Sequence, residues 1–148
     1  MGDGGLNLKI ACIAVAVSTI STAAMANEFD VKSVKVSGIS GLKAVDILIS
    51  RPSEPKATYK VVALGTGPEG SIVSVNTRYS EASGWVYTTR AVKCDSGRMK
   101  TLGSGETVAG MLKSKADTSW GPLIGGSSAT QVAEIACSQN GKRLAGVQ

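Results

Sequence analysis

Few residues in this sequence can do chemistry, and two cysteines are the most informative of them. The chain has no histidine, which excludes Ser-His-Asp catalysis, its cysteine variant and His-ligated zinc. Of the three cysteines, Cys12 lies in the N-terminal segment that we expect to be removed on export. Cys94 and Cys137 remain, and an even cysteine count in an exported chain is typical of a disulfide. In the chain-entropy model this bridge would stabilise the fold by roughly 4 kcal/mol. We expect a disulfide here, with two free thiols as the alternative.

A glycine-rich motif, Gly65-Thr66-Gly67-Pro68-Glu69-Gly70, has the G-x-G-x-x-G spacing of dinucleotide-binding loops. That function requires a helix directly after the motif, with its N-terminus on the pyrophosphate. The residues that follow, Ile72 to Tyr79, alternate as in a strand, and Glu69 would repel phosphates. We therefore interpret the motif as a β-turn that glycine permits.

Two further patterns point weakly towards catalysis. Ser53-Glu54-Pro55-Lys56 matches the S-x-x-K of penicillin-binding enzymes, which place the serine at the start of a buried helix. Because proline pushes the preceding residue towards extended conformations, we expect a surface loop instead. The carboxylates Asp95, Glu106 and Asp117 have no pattern that brings two together, as glycoside hydrolysis requires. The sequence therefore predicts a protein that is not an enzyme and has no metal site or cofactor.

Aromatic and basic residues provide a candidate binding surface. Trp85 and Tyr87 share the strand face opposite Cys94, so a helix over the Cys94 face would leave them exposed as binding anchors. An equally compatible alternative is that another segment covers them. The same predicted surface includes four basic residues of this region: Arg78, Arg90, Arg98 and Lys100.

Alternating apolar residues predict the strands that position these side chains. The firmest prediction is a contiguous antiparallel meander from Ala57 to Leu102. Thr107 to Leu112 is compatible with a strand or a helical turn, and Trp120 is expected in the core. The predicted strands are Phe29–Val36, a strand around Val45 to Ile49, Ala57–Leu64, Ile72–Tyr79, Trp85–Cys94 and Arg98–Leu102.

One helix is predicted near the C-terminus. Ser128 and Gln131 have the spacing of a capping box, apolar residues at helical spacing follow, and Gly141 is a suitable stop. Cys137 falls in this helix and Cys94 ends a strand. The fold class predicted is therefore α+β: an antiparallel sheet of about five to six strands, with a C-terminal helix packed on it and tethered by the disulfide.

The N-terminal segment is typical of an export signal. An uncharged apolar run begins at Ile10 and ends in Ala24-Met25-Ala26, a small-x-small pattern that favours cleavage near Ala26. A membrane anchor is the alternative, although the run is at the short end of the spanning range. A lipoprotein signal is not supported, because the hydrophobic stretch follows Cys12 rather than preceding it. We expect a signal peptide at 1–26, one domain at 27–148, and a location in the periplasm or at the cell surface.

Charge restricts the possible partners only broadly. The net charge is +5, which favours loose attraction to anionic surfaces. No run of lysine and arginine is present, so specific nucleic-acid binding is not predicted. The sequence leaves the oligomeric state open.

Several short segments follow one another in a distinctive order in the second half of the chain: Arg90-Ala91-Val92-Lys93-Cys94, Arg98-Met99-Lys100-Thr101-Leu102, Met111, Trp120, Gly126-Ser127 and Ala136-Cys137. With these segments, the stretch from Tyr87 to Ser138 resembles the surface-adhesin protein E-like family of small exported proteobacterial proteins. The resemblance implies a curved antiparallel sheet with a C-terminal helix tethered through Cys94 and Cys137. It also implies adhesin-like binding to host matrix proteins.

Three functions are compatible with these features. The first is a non-catalytic, adhesin-like binding protein of the bacterial cell envelope. The second is an accessory component of an envelope secretion or conjugation machine. The third is a periplasmic inhibitor of a cell-wall hydrolase, which would present the Gly65–Gly70 or Glu81–Gly84 turn to an enzyme cleft.

Overall fold

The structure is a computed structural model that describes residues 29–148. The predicted signal peptide and Cys12 lie outside the described residues. The described part of the chain forms six strands and two α-helices. In chain order they are β1 (Ser40–Ile49), β2 (Ala57–Thr66), β3 (Ile72–Ser80), β4 (Gly84–Lys93), β5 (Arg98–Gly105), α1 (Val108–Lys113), β6 (Gly121–Pro122) and α2 (Ser128–Gln139).

All six strands belong to one sheet and follow one another in sequence order, each antiparallel to its neighbours. This confirms the predicted antiparallel meander and its C-terminal helix. The β3–β4 hairpin aligns Ser80 with Gly84, and Gly84 has a φ of 69°, a conformation that residues with a Cβ rarely adopt. Glycine at this position therefore fixes the register of the central hairpin.

The sheet is covered on both sides, and we call the two sides the helix face and the back face. On the helix face α2 packs over the strands, and Val61, Val92 and Cys137 are buried there. On the back face α1 and the chain before β1 cover the strands, and Val75 and Tyr87 are buried. Covering on both sides explains why every β3 residue from Ile72 to Thr77 is buried.

The predicted strand at Phe29–Val36 is wrong. This segment contains a short 3₁₀ turn, Val31–Ser33. The Asp30 carboxylate accepts a hydrogen bond from the Lys32 backbone N–H at 2.9 Å, a local bond that competes with strand pairing. The apolar side chains of the segment still pack on the back face. The alternation of apolar and polar residues therefore reflects burial of every second side chain and not pairing with a neighbouring strand.

Helix α2 begins one residue earlier than the predicted capping box implies. Ser127 is the cap, and its hydroxyl accepts from the Thr130 N–H at 3.1 Å. Gln131 instead reaches away from the helix: its amide accepts from the Arg51 guanidinium at 3.0 Å and donates to the Ser50 carbonyl at 3.1 Å. These bonds fasten the start of α2 to the loop after β1.

The other end of α2 is held covalently. Cys94, just after β4, is bonded to Cys137 in the helix, with their Cα atoms 5.9 Å apart. This confirms the predicted disulfide. After the helix, Gly141 takes a φ of 66°, and the tail returns so that the Ala145 N–H donates to the Cys94 carbonyl at 2.8 Å.

Helix α1 resolves the open prediction for Thr107 to Leu112 in favour of helix. The Thr107 hydroxyl caps it by accepting from the Gly110 N–H at 3.0 Å. No helix within residues 29–148 combines the length and apolar character needed to cross a membrane.

Candidate functional site

The six residues of the predicted binding surface lie on both faces of the sheet. On the back face are Trp85, Tyr87, Arg98 and Lys100. On the helix face are Arg78 and Arg90, which line a pocket beside α2. The strand register produces this separation, because residues of opposite parity on β4 point to opposite sides. The six side chains therefore do not form one contact surface.

Tyr87 is a core residue. Its side chain is 1% exposed and packs with Val34 and Met111. Tyr87 is therefore covered by other segments, which is the second of the two alternatives predicted from the sequence. It is not part of an exposed binding surface. The covering comes from α1 and the segment before β1, two elements that the strand pattern of β4 does not encode.

Trp85 is half-buried and is part of a row of aromatic rings. Its ring centroid lies 4.8 Å from that of Tyr79 and 6.0 Å from that of Tyr87. Tyr79 is 37% exposed, so it is the outermost ring of the row. The sequence prediction omits Tyr79, although the Ser80–Gly84 turn places it directly across from Trp85.

An exposed leucine extends this row towards the edge strand. Leu48 on β1 is 65% exposed and lies opposite Lys60, and Thr58 lies opposite Tyr79. We call the surface formed by Leu48, Thr58, Tyr79 and Trp85 the aromatic patch. It joins aliphatic and aromatic groups on one end of the back face.

A groove of about 750 Å³ lies next to the aromatic patch. Tyr79 and Thr58 belong to both, so the groove continues the patch around the end of the sheet. Its other lining residues come from the loop after β1 and from the β3–β4 turn: Pro55, Lys56, Ser80, Glu81 and Ala82.

Basic residues of β4 and β5 surround Trp120. The ammonium of Lys93 lies 4.5 Å and that of Lys100 4.9 Å from the Trp120 ring centroid, and Arg98 donates to the Trp120 carbonyl at 3.2 Å. Trp120 is half-buried and outside both cores, so its predicted place in the core is wrong. Its face is occupied by cations from the neighbouring strands.

Glu69 balances part of this positive charge. Its carboxylate forms an ion pair with Lys93, and the hydrogen bond from Lys93 is the main reason that the pKa of Glu69 lies below its ordinary value. Lys93 is therefore engaged within the protein. Trp85 and Lys93 are at opposite ends of β4, roughly 27 Å apart along the strand, so this cluster is separate from the aromatic patch.

Arg78 is also held by internal contacts. It donates through Nε to the Tyr59 hydroxyl at 2.9 Å and through Nη1 to the Ser83 hydroxyl at 2.7 Å, and its Nη2 lies 3.8 Å from Glu54. The Tyr59 hydroxyl donates in turn to Glu54. Arg78 thus stabilises the hairpin end of the sheet.

The catalytic motifs do not acquire catalytic surroundings. The Gly65–Gly70 segment ends β2 and passes through a 3₁₀ turn at Pro68–Gly70 into strand β3, so a strand follows the motif where a dinucleotide-binding loop requires an α-helix. Ser53 lies in the loop between β1 and β2. Among residues 29–148, no group of three or more metal-ligating acidic, cysteine or histidine side chains comes together.

Comparison of the chain with protein-family models, with characterised proteins and with solved structures found no match.

Proposed function

We propose that this protein is a non-catalytic binding protein of the bacterial cell envelope, adhesin-like in function, and that it contacts its protein partner through the aromatic patch. The observation that carries the proposal is the exposed Tyr79 ring, whose centroid lies 4.8 Å from that of Trp85, on the same sheet face as the 65% exposed Leu48. Tyrosine and tryptophan with a buried base and an accessible edge are frequent anchors of protein interfaces.

Rigidity supports the same proposal. Trp85 is held between Tyr79 and the buried Tyr87, so a partner would lose little side-chain entropy on ordering these rings. The adjoining groove of about 750 Å³ gives a partner side chain a place to insert. The net charge of +5 would speed the approach of an acidic partner.

A non-catalytic role agrees with the state of the acidic side chains that the structure perturbs. Glu54 and Glu69 have lowered pKa values, caused first by hydrogen bonds from Tyr59 and Lys93 respectively. Such groups stay ionised and paired, whereas a general acid needs a raised pKa. The resemblance to the protein E-like family is the reason for choosing host matrix proteins as the first partners to test.

The test is binding of the mature chain to immobilised host matrix proteins, measured by biolayer interferometry. We expect saturable binding that weakens with added salt, and Tyr79→Ala should weaken it by about tenfold or more. Leu48→Ser, the second variant of the aromatic patch, should also weaken binding. Ile124→Ser is its matched control, because Ile124 is 53% exposed and follows β6 at the opposite edge of the sheet. The control should leave affinity within about twofold.

Two results would overturn the proposal. Equal loss of binding in Leu48→Ser and Ile124→Ser would exclude the aromatic patch as the contact surface. Failure of the unmodified chain to bind any matrix protein would exclude the adhesin-like function. Co-purification with envelope components of the producing cell would then favour the accessory-component hypothesis, and inhibition of lysozyme would favour the hydrolase-inhibitor hypothesis.

A further inference from the structure

A second pocket, on the helix face, is lined by residues with polar atoms that have no partner within residues 29–148. It has a volume of about 180 Å³ and lies between the sheet and the first residue of α2, Ser128. Arg90 and Asn76 both line it. The Nε of Arg90 and the Oδ1 of Asn76 are buried and have no hydrogen-bond partner among the described residues.

Asn76 is the more enclosed of the two groups. It is 5% exposed, and its amide nitrogen is already used, donating to the Ser74 hydroxyl at 3.1 Å. The carbonyl oxygen of this lining residue has no donor among the described residues. A buried acceptor without a donor costs about as much as a lost hydrogen bond, so this oxygen favours a ligand with a hydroxyl or amide hydrogen.

Arg90 provides an uncompensated positive charge. It takes part in none of the ion pairs formed among residues 29–148, and burial lowers the pKa of its guanidinium below the ordinary value. Arg90 pairs with Ser74, two residues from Asn76 on β3, so the two residues are diagonal neighbours on one face. A single ligand can therefore reach both.

The surroundings select an anion with a single charge. The pocket lies at the positive end of the twelve-residue helix α2, which favours negative charge. Arg78, the other basic residue of the described lining, is already close to Glu54, at 3.8 Å, so Arg90 is left to neutralise a ligand. A phosphate dianion would exceed that single charge.

The volume of the pocket and its apolar lining restrict the ligand further. A volume of about 180 Å³ equals roughly six water molecules, enough for a small organic acid. Ile49, Val86 and Val132 form the apolar part of the lining. We propose that this pocket binds a small hydroxy acid, with its carboxylate accepting from Arg90 and its hydroxyl donating to Asn76 Oδ1.

The experiment is an NMR titration of the ¹⁵N-labelled chain with lactate, propionate and methyl lactate at constant ionic strength. Lactate should give saturable shifts at the backbone amides of Thr88 and Ser128 and at the side-chain amide of Asn76. Propionate lacks the hydroxyl and should bind about fivefold more weakly. Methyl lactate lacks the charge and should bind at least about tenfold more weakly.

Variants assign the binding to these side chains. Arg90→Gln should weaken lactate binding by about tenfold or more, whereas Arg98→Gln removes the same charge from an exposed position and should have less than about a twofold effect. Asn76→Asp places a carboxylate beside Arg90 and should also abolish lactate binding, with the fold retained.

Non-saturating shifts, or equal affinity for the three ligands, would show that the pocket holds only water and would overturn the proposal. Equal weakening by Arg90→Gln and Arg98→Gln would do the same, because it would indicate general charge attraction. The pocket and the aromatic patch lie on opposite faces of the sheet. Lactate binding should therefore persist in Tyr79→Ala, and the two proposals fail independently.

Discussion

Several side chains of this protein are held in place by contacts with residues distant in sequence. The guanidinium carbons of Arg51 and Arg78 lie 5.5 and 5.6 Å from the centroid of the Tyr59 ring. The Tyr59 hydroxyl donates to Glu54, which also accepts from Arg51 Nε at 3.1 Å. The four residues join the β1–β2 loop to the hairpin end of the sheet, and no sequence motif predicts these contacts.

Glu54 gives a prediction for the pH dependence of stability. Hydrogen bonding from Tyr59, followed by Arg51, lowers the pKa of Glu54 below its ordinary value of 4.5. A lowered folded-state pKa means that the stabilisation is present above 4.5 and is lost as the pH falls through the folded-state pKa. We expect Glu54→Gln to lower the free energy of unfolding at about pH 7, with the deficit shrinking below pH 4.5.

The measurement is urea denaturation of both proteins across this pH range. Glu81→Gln is the control, because Glu81 is exposed in the hairpin turn and forms no ion pair among the described residues. A deficit for Glu54→Gln that stays constant from neutral to acid pH would contradict the prediction.

At the scale of elements, helix α1 packs closely on strand β5 because β5 has glycine where the two backbones meet. A Cβ added at Gly105 would lie 2.6 Å from the Met111 backbone nitrogen and 2.7 Å from the Gly110 carbonyl carbon. Only glycine therefore lets the helix backbone approach β5 so closely. Met111, on this helix, fills the back-face core and accepts a hydrogen bond from the Thr89 hydroxyl at 3.1 Å.

Gly105→Ala should therefore destabilise the protein. The added methyl group must push α1 outwards, and overpacking of this kind costs about 1–3 kcal/mol. Gly121→Ala is the matched control, because its added Cβ would meet only the Met99 carbonyl oxygen, at 3.9 Å, and should change stability by less than about 0.5 kcal/mol. Chemical denaturation measures both, and similar values for the two variants would refute the close-approach argument.

Over the whole molecule, the disulfide connects the last helix to the end of the central hairpin. It joins residues 43 positions apart, and both cysteines are buried at the edge of the helix-face core. The C-terminal tail adds hydrogen bonds from Ala145 to Cys94 and from Gln148 to Leu123, at 2.8 and 2.9 Å. The chain after β5 is therefore closed onto the sheet at several points.

Replacement of both cysteines by alanine should lower the free energy of unfolding by roughly 4 kcal/mol, because the unfolded chain regains the entropy of an open loop. Urea denaturation with and without reductant checks this value. Reductant should destabilise the unmodified protein and leave the double-alanine variant unchanged. An equal response of the two proteins to reductant would exclude the bridge as the source of the stabilisation.

Much of this architecture is predictable from local patterns. The hairpin from Ile72 to Lys93 follows from alternation and a glycine turn, and α2 follows from its cap and apolar stripe, within one residue at the start. The segment at Phe29–Val36 shows the limit, because alternation reports burial and cannot distinguish a paired strand from a covering segment. Trp120 shows a second limit, since lysines from two strands meet its ring only after folding.

Alternation, turn residues and cysteine count act locally or pairwise, so they are sufficient to predict the meander, the terminal helix and the bridge between Cys94 and Cys137. Which aromatic ring reaches the surface depends instead on how the folded chain packs. Tyr87 and Tyr79 share a face, yet α1 and the chain before β1 cover one and leave the other accessible. Packing between segments distant in sequence determines which ring is covered, and the periodicity within a strand does not encode that packing.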